Sequence, residues 1–256
     1  TTRAKEIVPE DMHDMIVDRL EFRVKGRAME KKDLAFLDFL VNSNWERPIY
    51  LNNTSISQLN IDMRPHVVQE GMAYRVLPIV NPEPRNGYPV NTEVMYDNVM
   101  NKFTWTKLDD PSVYYSQDYL GFVLNSRSTF NSLAEDLIAK QDYTRAAEVL
   151  KKCMEVMPDE SVPFDFFSVQ QVDMLLTVGE PELADYVSER VSTHSTQWLD
   201  FYFASGSTNT TELQKHLLSL NEIARAFRAN GDREKAASYE ELFNLYYTQL
   251  ENRQPQ

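Results

Sequence analysis

The sequence predicts a small α+β unit followed by an all-α array of helix hairpins, an α–α superhelix. Two observations support this fold class. Before about residue 108, apolar residues alternate with polar ones in short segments, which indicates strands. After Ser116 they recur at helical spacing, and one turn followed by an alanine occurs three times. We therefore divide the 256-residue chain into domains 1–108 and 109–256.

Three strands and two helices are predicted in the first domain. Residues 20–26 alternate apolar and charged side chains, as a half-buried strand does, and residues 49–51 and 73–79 are further strand candidates. Asp33 is placed to cap one helix, and Thr92 is placed to cap a second, shorter one. The apolar face of the Asp33 helix comprises Leu34, Leu37, Leu40 and Val41.

The clearest hairpin of the second domain spans residues 127–160, and these 34 residues are the length of a tetratricopeptide repeat. Apolar side chains follow helical spacing from Phe130, a turn follows, and Ala146 lies on the apolar face of the returning helix. The turn and its alanine recur at Ala184 and Ala236. Small alanines allow two antiparallel helices to approach closely. The alternative is three unrelated hairpins that share a turn type.

Charge and composition exclude several classes of protein. The chain has 26 basic and 39 acidic residues, a formal net charge of −13, and 42% hydrophobic residues. This hydrophobic content supports a buried core rather than a disordered chain. The negative charge would repel nucleic-acid phosphates and gains nothing at an anionic lipid surface. No segment reaches the run of about 18 apolar residues that a membrane span needs, and Thr1 begins no signal peptide.

Residues of common catalytic and metal sites are sparse. Cys153 is the single cysteine and lies on the core face of a predicted helix, which favours a buried thiol over a reactive one. The four histidines lie far apart, without the HExxH spacing of zinc enzymes. The sequence has no phosphate-binding glycine loop, no nucleophile elbow and no recognisable nucleophile–base pair. We therefore expect no metal, no cofactor and no catalytic residue in this fragment.

The first candidate binding cluster consists of Trp45, Arg47 and Tyr50. An arginine beside an aromatic ring and a turn would clamp a carboxylate or a lipid-linked phosphate. The alternative is a structural arginine that ties the end of the preceding helix to Glu70 or Asp97.

The second candidate binding surface lies in the helical array. In stacked helix hairpins the first helices of successive pairs line the concave face. Three phenylalanines within four residues exceed what one helical stripe buries, so we expect one of them to be exposed in a groove. The alternative is that all three pack internally. The candidate groove residues are Phe164, Phe166, Phe167, Gln170 and Gln171.

Six motifs of this chain occur in the same order in a known family. They include NWERPIY at 44–50 and QEGMAYRVLP at 69–78, and the others lie at 16–22, 32–38, 94–103 and 152–158. Together they resemble the segment after the last membrane span in a family of large polytopic bacterial membrane proteins. That family in turn resembles membrane-embedded C-type glycosyltransferases, including protein O-mannosyltransferases. The resemblance is tight over roughly residues 5–180 and looser beyond.

The resemblance implies that this chain is a soluble C-terminal domain in the periplasm. Its partners would be its own transmembrane glycosyltransferase domain and an acceptor protein or peptide. The acidic catalytic residues of such transferases lie near the membrane spans, so the resemblance transfers no catalytic residue to this fragment. The alternative is a free-standing tetratricopeptide adaptor that binds peptides and is unrelated to glycosylation. Membrane spans encoded upstream would favour the first hypothesis, and a signal peptide directly upstream the second.

Overall fold

The computed structural model of the chain describes residues 2–82, 87–206 and 209–252. The chain falls into two units, Thr1–Phe103 and Thr104–Gln256. The predicted domain boundary is residue 108, and the structure divides the chain shortly before it.

The first unit contains a three-stranded antiparallel sheet with the strand order β1-β3-β2. The strands are β1 (Tyr50–Leu51), β2 (Val67–Gln69) and β3 (Tyr74–Val76). Tyr74 of β3 lies opposite Leu51 on one side and Gln69 on the other. β1 and β3 lie within the predicted strand segments 49–51 and 73–79, whereas β2 is not predicted from the sequence.

Among the residues of the first unit that the structure describes, four α-helices accompany the sheet. They are α1 (Thr2–Ile7), α2 (Lys31–Ser43), α3 (Asn53–Gln58) and α4 (Thr92–Asp97). Two 3₁₀ helices occupy Glu10–Met15 and Arg64–His66, and α4 continues into a π-helix at Asn98–Lys102. The predicted helix that begins at Thr92 is therefore present.

Both faces of strand β2 are buried. Val67 of β2 belongs to a cluster with Leu40 of α2 and Ile56 of α3, whereas Val68 belongs to a second cluster with Leu77. Successive side chains of a strand point to opposite faces, so the two clusters lie on opposite faces of β2. A strand that is buried on both faces lacks the alternation of apolar and polar residues that indicates a half-buried strand. The sequence pattern therefore does not predict β2.

Residues 20–26 do not form the predicted strand. Val24 makes an isolated bridge to Ile61, and in the described part of the chain this bridge does not extend into a ladder. Leu20 and Phe22 nevertheless pack against the core as partly buried side chains. The alternating pattern therefore reflects which side chains are buried, in an extended segment that lacks a continuous partner strand.

Helix α2 faces the core with only part of the predicted side, because Leu37 and Leu40 pack inward whereas Leu34 and Val41 do not. Leu40 is buried, but Leu34 is 58% exposed and Val41 is 78% exposed. The cause is Asp33, whose buried carboxylate belongs to a capping box and accepts a hydrogen bond from the backbone N–H of Glu30 at 2.7 Å. With Asp33 turned inward, Leu34 and Val41 are directed toward solvent.

Asp33 also fixes the segment around Asn60. Its carboxylate accepts the Asn60 backbone N–H at 2.8 Å and the Asn60 side-chain amide at 3.1 Å. Burial acts to raise the pKa of Asp33, but these hydrogen bonds and the one from Glu30 outweigh it and hold the pKa below its usual value. The charged carboxylate therefore stabilises the fold, and this stabilisation is lost as the pH falls through the lowered pKa.

The described part of the second unit consists of six α-helices. They are α5 (Gln117–Ala139), α6 (Tyr143–Val156), α7 (Phe166–Thr177), α8 (Pro181–Ala204), α9 (Thr210–Ala229) and α10 (Arg233–Glu251). Consecutive helices pack as the hairpins α5–α6, α7–α8 and α9–α10, and the first helices also contact each other in the order α5, α7, α9. The predicted combination of a sheet in the N-terminal part and a helical array in the C-terminal part is confirmed.

The three hairpin turns share one hydrogen-bond pattern. In each turn the residue that precedes the second helix donates its backbone N–H to a carbonyl oxygen five residues earlier, as in a Schellman turn. These bonds join Asp142 to Leu137 at 2.8 Å, Glu180 to Leu175 at 2.9 Å and Asp232 to Phe227 at 3.0 Å. All three carbonyl residues are buried, so each turn is anchored to the helical core.

The residue before each second-helix cap adopts a left-handed conformation. The φ angles are 62° for Gln141, 83° for Gly179 and 89° for Gly231. The fourth residue after each cap is a buried alanine, and these are Ala146, Ala184 and Ala236. The hairpins therefore share their turn geometry and the position of the buried alanine that follows it.

We expect Gln141→Gly to stabilise the protein by about 0.5–1 kcal/mol. A left-handed conformation strains a side chain with a Cβ, and the two equivalent turns already have glycine there. Urea denaturation measures the change in the free energy of unfolding. The matched exchange Gly179→Gln should lower stability by a similar amount. A loss of stability in Gln141→Gly would contradict the equivalence of the turns.

Candidate functional site

The first predicted cluster does not converge on one site. Trp45 packs partly buried against the core, and its carbonyl accepts a hydrogen bond from Arg3 Nη2 at 3.1 Å. Arg47 is exposed, and Tyr50 on β1 is 47% exposed. A depression of about 630 Å³ in the first unit is lined by Trp45 without Arg47 or Tyr50. The structure therefore does not bring the three side chains together around one cavity.

Tyr50 instead belongs to a network around Glu70, which is buried directly after β2. The Tyr50 hydroxyl donates to Glu70 Oε2 at 2.5 Å, and the Asn91 side-chain amide donates to Oε1 at 2.7 Å. Arg75 Nη1 lies 3.5 Å from the same Oε1. Burial, reinforced by the bond to Glu70, raises the pKa of Tyr50 to about 12. The hydroxyl is therefore a hydrogen-bond donor at neutral pH.

This network also excludes the alternative structural role of Arg47, in which it ties the end of the preceding helix to Glu70 or Asp97. Glu70 is paired with Arg75, and Asp97 is paired with Lys102, whose Nζ lies 2.5 Å from Oδ2. Arg47 ties neither carboxylate to the end of α2. The charged pair in this region is Glu70 and Arg75. Arg75 lies on β3 and Glu70 lies in the turn between β2 and β3, whereas the sequence pattern predicts only a strand there.

The second unit contains a depression between α7 and α9, which we name the α7–α9 groove. It has a volume of about 770 Å³. Its lining includes Phe166, Val169, Gln170 and Asp173 from α7 and Asn221, Glu222, Arg225 and Ala226 from α9. Two of the five predicted groove residues, Phe166 and Gln170, therefore lie together on a concave surface formed by first helices of adjacent hairpins.

The other three predicted residues do not line this groove. Phe164 is 3% exposed, and Gln171 is fully buried, so neither side chain is open to the α7–α9 groove. Gln171 donates its side-chain amide to Asn131 Oδ1 at 2.8 Å. Phe167 is partly buried, and its carbonyl accepts a hydrogen bond from the Asn131 amide at 2.8 Å. The three phenylalanines are thus not all buried, because Phe166 lies at the groove while Phe164 packs internally.

The α7–α9 groove has an apolar floor and a rim with charges of both signs. Val169 and Ala226 are buried beneath it. On its rim Arg225 forms an exposed salt bridge with Glu222 at 2.7 Å, and Asp173 accepts a hydrogen bond from Asn230 at 2.9 Å. This combination suits an amphipathic segment of another protein, with apolar side chains on the floor and polar ones at the rim.

Arg127 holds the segment that leads into α7. Its side chain is 1% exposed inside α5, although arginine is rarely buried unless it is paired. The guanidinium donates to the carbonyl oxygens of Met157, Val162 and Pro163 at 3.4, 2.9 and 3.2 Å and to Asp165 Oδ1 at 3.1 Å. It also lies over the Phe164 ring, 5.3 Å from its centroid. The Arg127 side chain thus donates hydrogen bonds to three backbone carbonyls of the connection between α6 and α7.

Asp159 lies within the same connection and ties it to α8. This buried carboxylate accepts the Phe164 backbone N–H at 2.7 Å through Oδ1 and Arg190 Nε at 2.5 Å through Oδ2. His194 Nε2 lies 3.6 Å from Oδ2. Arg190 and His194 both belong to α8. The start of α7, which carries Phe166 into the groove, is therefore fixed by side chains from α5 and α8.

A second depression in this unit has a volume of about 610 Å³, and we name it the Trp198 depression. Trp198 stacks on Tyr202 with centroids 5.6 Å apart and an angle of 25° between the rings. It stacks on His216 of α9 at 6.2 Å and 12°. Phe164 and Phe166 of the predicted set also line this depression.

We expect His216 to make the second unit less stable in mild acid. Burial, together with the charge of Lys215, lowers the pKa of His216 from 6.5 to about 4, so the folded state resists protonation. The unfolded chain binds the proton more readily, so stability present above about pH 6.5 is lost as the pH falls toward 4. The measurement is urea denaturation between pH 7 and 4.5. In His216→Gln the free energy of unfolding should depend less on pH than in the unchanged protein. An equal dependence on pH in both proteins would contradict the assignment to His216.

The residues that the structure describes contain no group of three or more His, Cys, Asp or Glu side chains that could hold a metal ion. Cys153 is buried, and burial raises the pKa of its thiol. Its Sγ accepts a hydrogen bond from the Gln171 amide at 3.2 Å. In its neutral, enclosed state this thiol packs as part of the helical core.

None of the helices that the structure describes combines the length and the apolar composition that a membrane span requires. No curated protein and no solved structure matches the chain. One family does match part of it: residues 1–94 match the family described as TMEM260-associated domain 2. The match covers the sheet and ends inside α4, before the helical array begins. The N-terminal part of this chain is therefore similar to a domain tied to a TMEM260-like membrane protein.

Proposed function

We propose that this chain is a non-catalytic accessory domain of a membrane glycosyltransferase of the protein O-mannosyltransferase type. In this proposal the first unit adjoins the membrane-embedded part, and the second unit is a tetratricopeptide-like array that positions an acceptor protein or another partner. The domain would lie on the periplasmic face of the inner membrane. No metal or cofactor takes part in this role.

The match of residues 1–94 to TMEM260-associated domain 2 is the observation that carries the proposal. An accessory role to a membrane protein follows from that association. The motifs at 44–50 and 69–78, which resemble the segment after the last span of the bacterial family, lie inside the matched range. The glycosyltransferase activity rests on this resemblance.

The α7–α9 groove supports the positioning role. Its apolar floor and mixed-charge rim fit an amphipathic segment, and the start of α7 is fixed by Arg127 and Asp159. A groove whose walls are held rigid loses little conformational entropy when a partner binds. The same groove also supports the second candidate, a free-standing adaptor that binds peptides and has no link to glycosylation.

The proposal predicts that removal of the second unit from the longer protein reduces glycosylation of periplasmic proteins. Intact-protein mass spectrometry of those proteins would measure the change. Unchanged glycosylation would exclude the accessory role. The isolated chain should transfer no sugar from a lipid-linked donor, because transfer needs an acidic base beside the donor phosphate and the acceptor hydroxyl. Transfer by the isolated chain would contradict the non-catalytic assignment.

A further inference from the structure

We propose that the Trp198 depression binds a neutral sugar residue of a glycan. Among the residues that line it, only Phe166 also lines the α7–α9 groove, so the two surfaces adjoin at Phe166 and otherwise have different linings. The inference rests on the aromatic and polar side chains of this depression. It concerns binding by the chain itself and does not depend on the proposed function.

The depression offers an aromatic platform. Trp198 is 47% exposed, which leaves much of a large apolar ring in contact with water. The indole is oriented by near-parallel stacking on His216 and by Tyr202 beside it. Such a fixed ring can pack against the C–H groups of a pyranose by dispersion and hydrophobic contact. Because the platform is already ordered, a ligand loses little free energy in arranging it.

Polar groups surround this platform. Gln197 is exposed beside Trp198, and Glu212 and Lys215 line the wall contributed by α9. The ammonium of Lys215 is 4.0 Å from Glu212 Oε2, so this contact leaves donors and acceptors for other partners. A planar amide and a carboxylate can each bond two hydroxyl groups of one ring. The lining therefore matches the hydroxyl pattern of a sugar as well as its apolar face.

Charge and size favour a neutral ligand over an anion or a cation. Glu212 and Lys215 carry opposite charges, and the carboxylate of Asp165 is paired with Arg127. These charges therefore leave no strong electrostatic field of one sign that would favour the binding of a phosphate or a basic peptide. The volume of about 610 Å³ lies within the range of about 300–1,000 Å³ that small-molecule sites occupy.

Saturation-transfer NMR and calorimetry on the chain, with mannotriose, cellotriose and maltotriose as probes, test this inference. At least one of these neutral trisaccharides should bind saturably in the millimolar range or below. Trp198→Ala should weaken that binding by roughly tenfold, because it removes the ring against which the pyranose packs. Trp198→Phe should retain part of the affinity. Glu212→Ala should also weaken binding.

Tyr247→Ala is the matched control, because Tyr247 is an exposed aromatic residue of α10 outside the depression. It should leave sugar binding unchanged. Circular dichroism of each variant confirms that the fold is retained. Absence of saturable binding by all three trisaccharides would overturn the inference. So would sugar binding that survives in Trp198→Ala, or a peptide that binds through Trp198 when sugars do not.

Discussion

Arg127→Met is expected to destabilise the second unit by about 3–5 kcal/mol. Breaking a buried ion pair by removing one partner has this effect, because the other charge stays buried without its counterion. Three backbone carbonyls of the connection between α6 and α7 would also lose their donor. The measurement is urea denaturation by fluorescence in a Trp45→Phe background, where only Trp105 and Trp198 of the second unit report.

Two further variants test the cause of this loss. Arg127→Lys should remain strongly destabilised, because an ammonium cannot reproduce the planar fork of a guanidinium. Arg225→Ala removes an exposed arginine that is paired at the surface, and it should change stability by no more than about 0.5 kcal/mol. If Arg127→Met behaved like Arg225→Ala, the assignment of Arg127 as the residue that holds this connection would be wrong.

Glu70→Ala should destabilise the first unit by about 2–3 kcal/mol. The change leaves the Tyr50 hydroxyl, the Asn91 amide and the Arg75 guanidinium without their shared acceptor, and unpaired polar groups at a buried site are unfavourable. Tyr50→Phe removes only one of these bonds and should lower stability by about 1 kcal/mol. Urea denaturation followed by Trp45 fluorescence, in a Trp105→Phe/Trp198→Phe background, measures both changes.

Arg47→Ala provides the control for the Glu70 network. Arg47 is exposed and does not bond Glu70, so its removal should change stability by no more than about 0.5 kcal/mol. A loss in Arg47→Ala as large as that in Glu70→Ala would restore the structural role that the sequence suggests for Arg47. It would count against the pairing of Glu70 with Arg75.

The helical array is well predicted from the sequence because its signals are local. A turn with a left-handed residue, an acidic residue directly after it and a buried alanine four residues beyond that acidic residue is specified within a few neighbouring positions. All three such turns are present. The first unit depends instead on pairing between distant segments. The predictions for residues 20–26 and for α2 are therefore less accurate. The contacts of these segments with Ile61 and Asn60 decide which of their side chains face inward.

The candidate site is predicted only in part, for a related reason. Phe166 and Gln170 reach the α7–α9 groove because both follow from the helical periodicity of α7. The buried position of Gln171 depends on Asn131, which is far away in the sequence. Arg127 gives one signal that could have been used: a lone arginine on an apolar helix face requires a buried partner. The aromatic run at 198–203 similarly marks the Trp198 depression.

Site-specific photo-crosslinking from the α7–α9 groove tests the central claim most directly. A photoreactive amino acid would replace Gln170 in the longer protein in its native membrane, and Glu155 on α6 would be replaced as the control. Glu155 is exposed and lies outside the groove. The account predicts that Gln170 crosslinks to an acceptor or partner protein and that Glu155 does not. Equal crosslinking from both positions, or none from Gln170 while glycosylation proceeds, would contradict it.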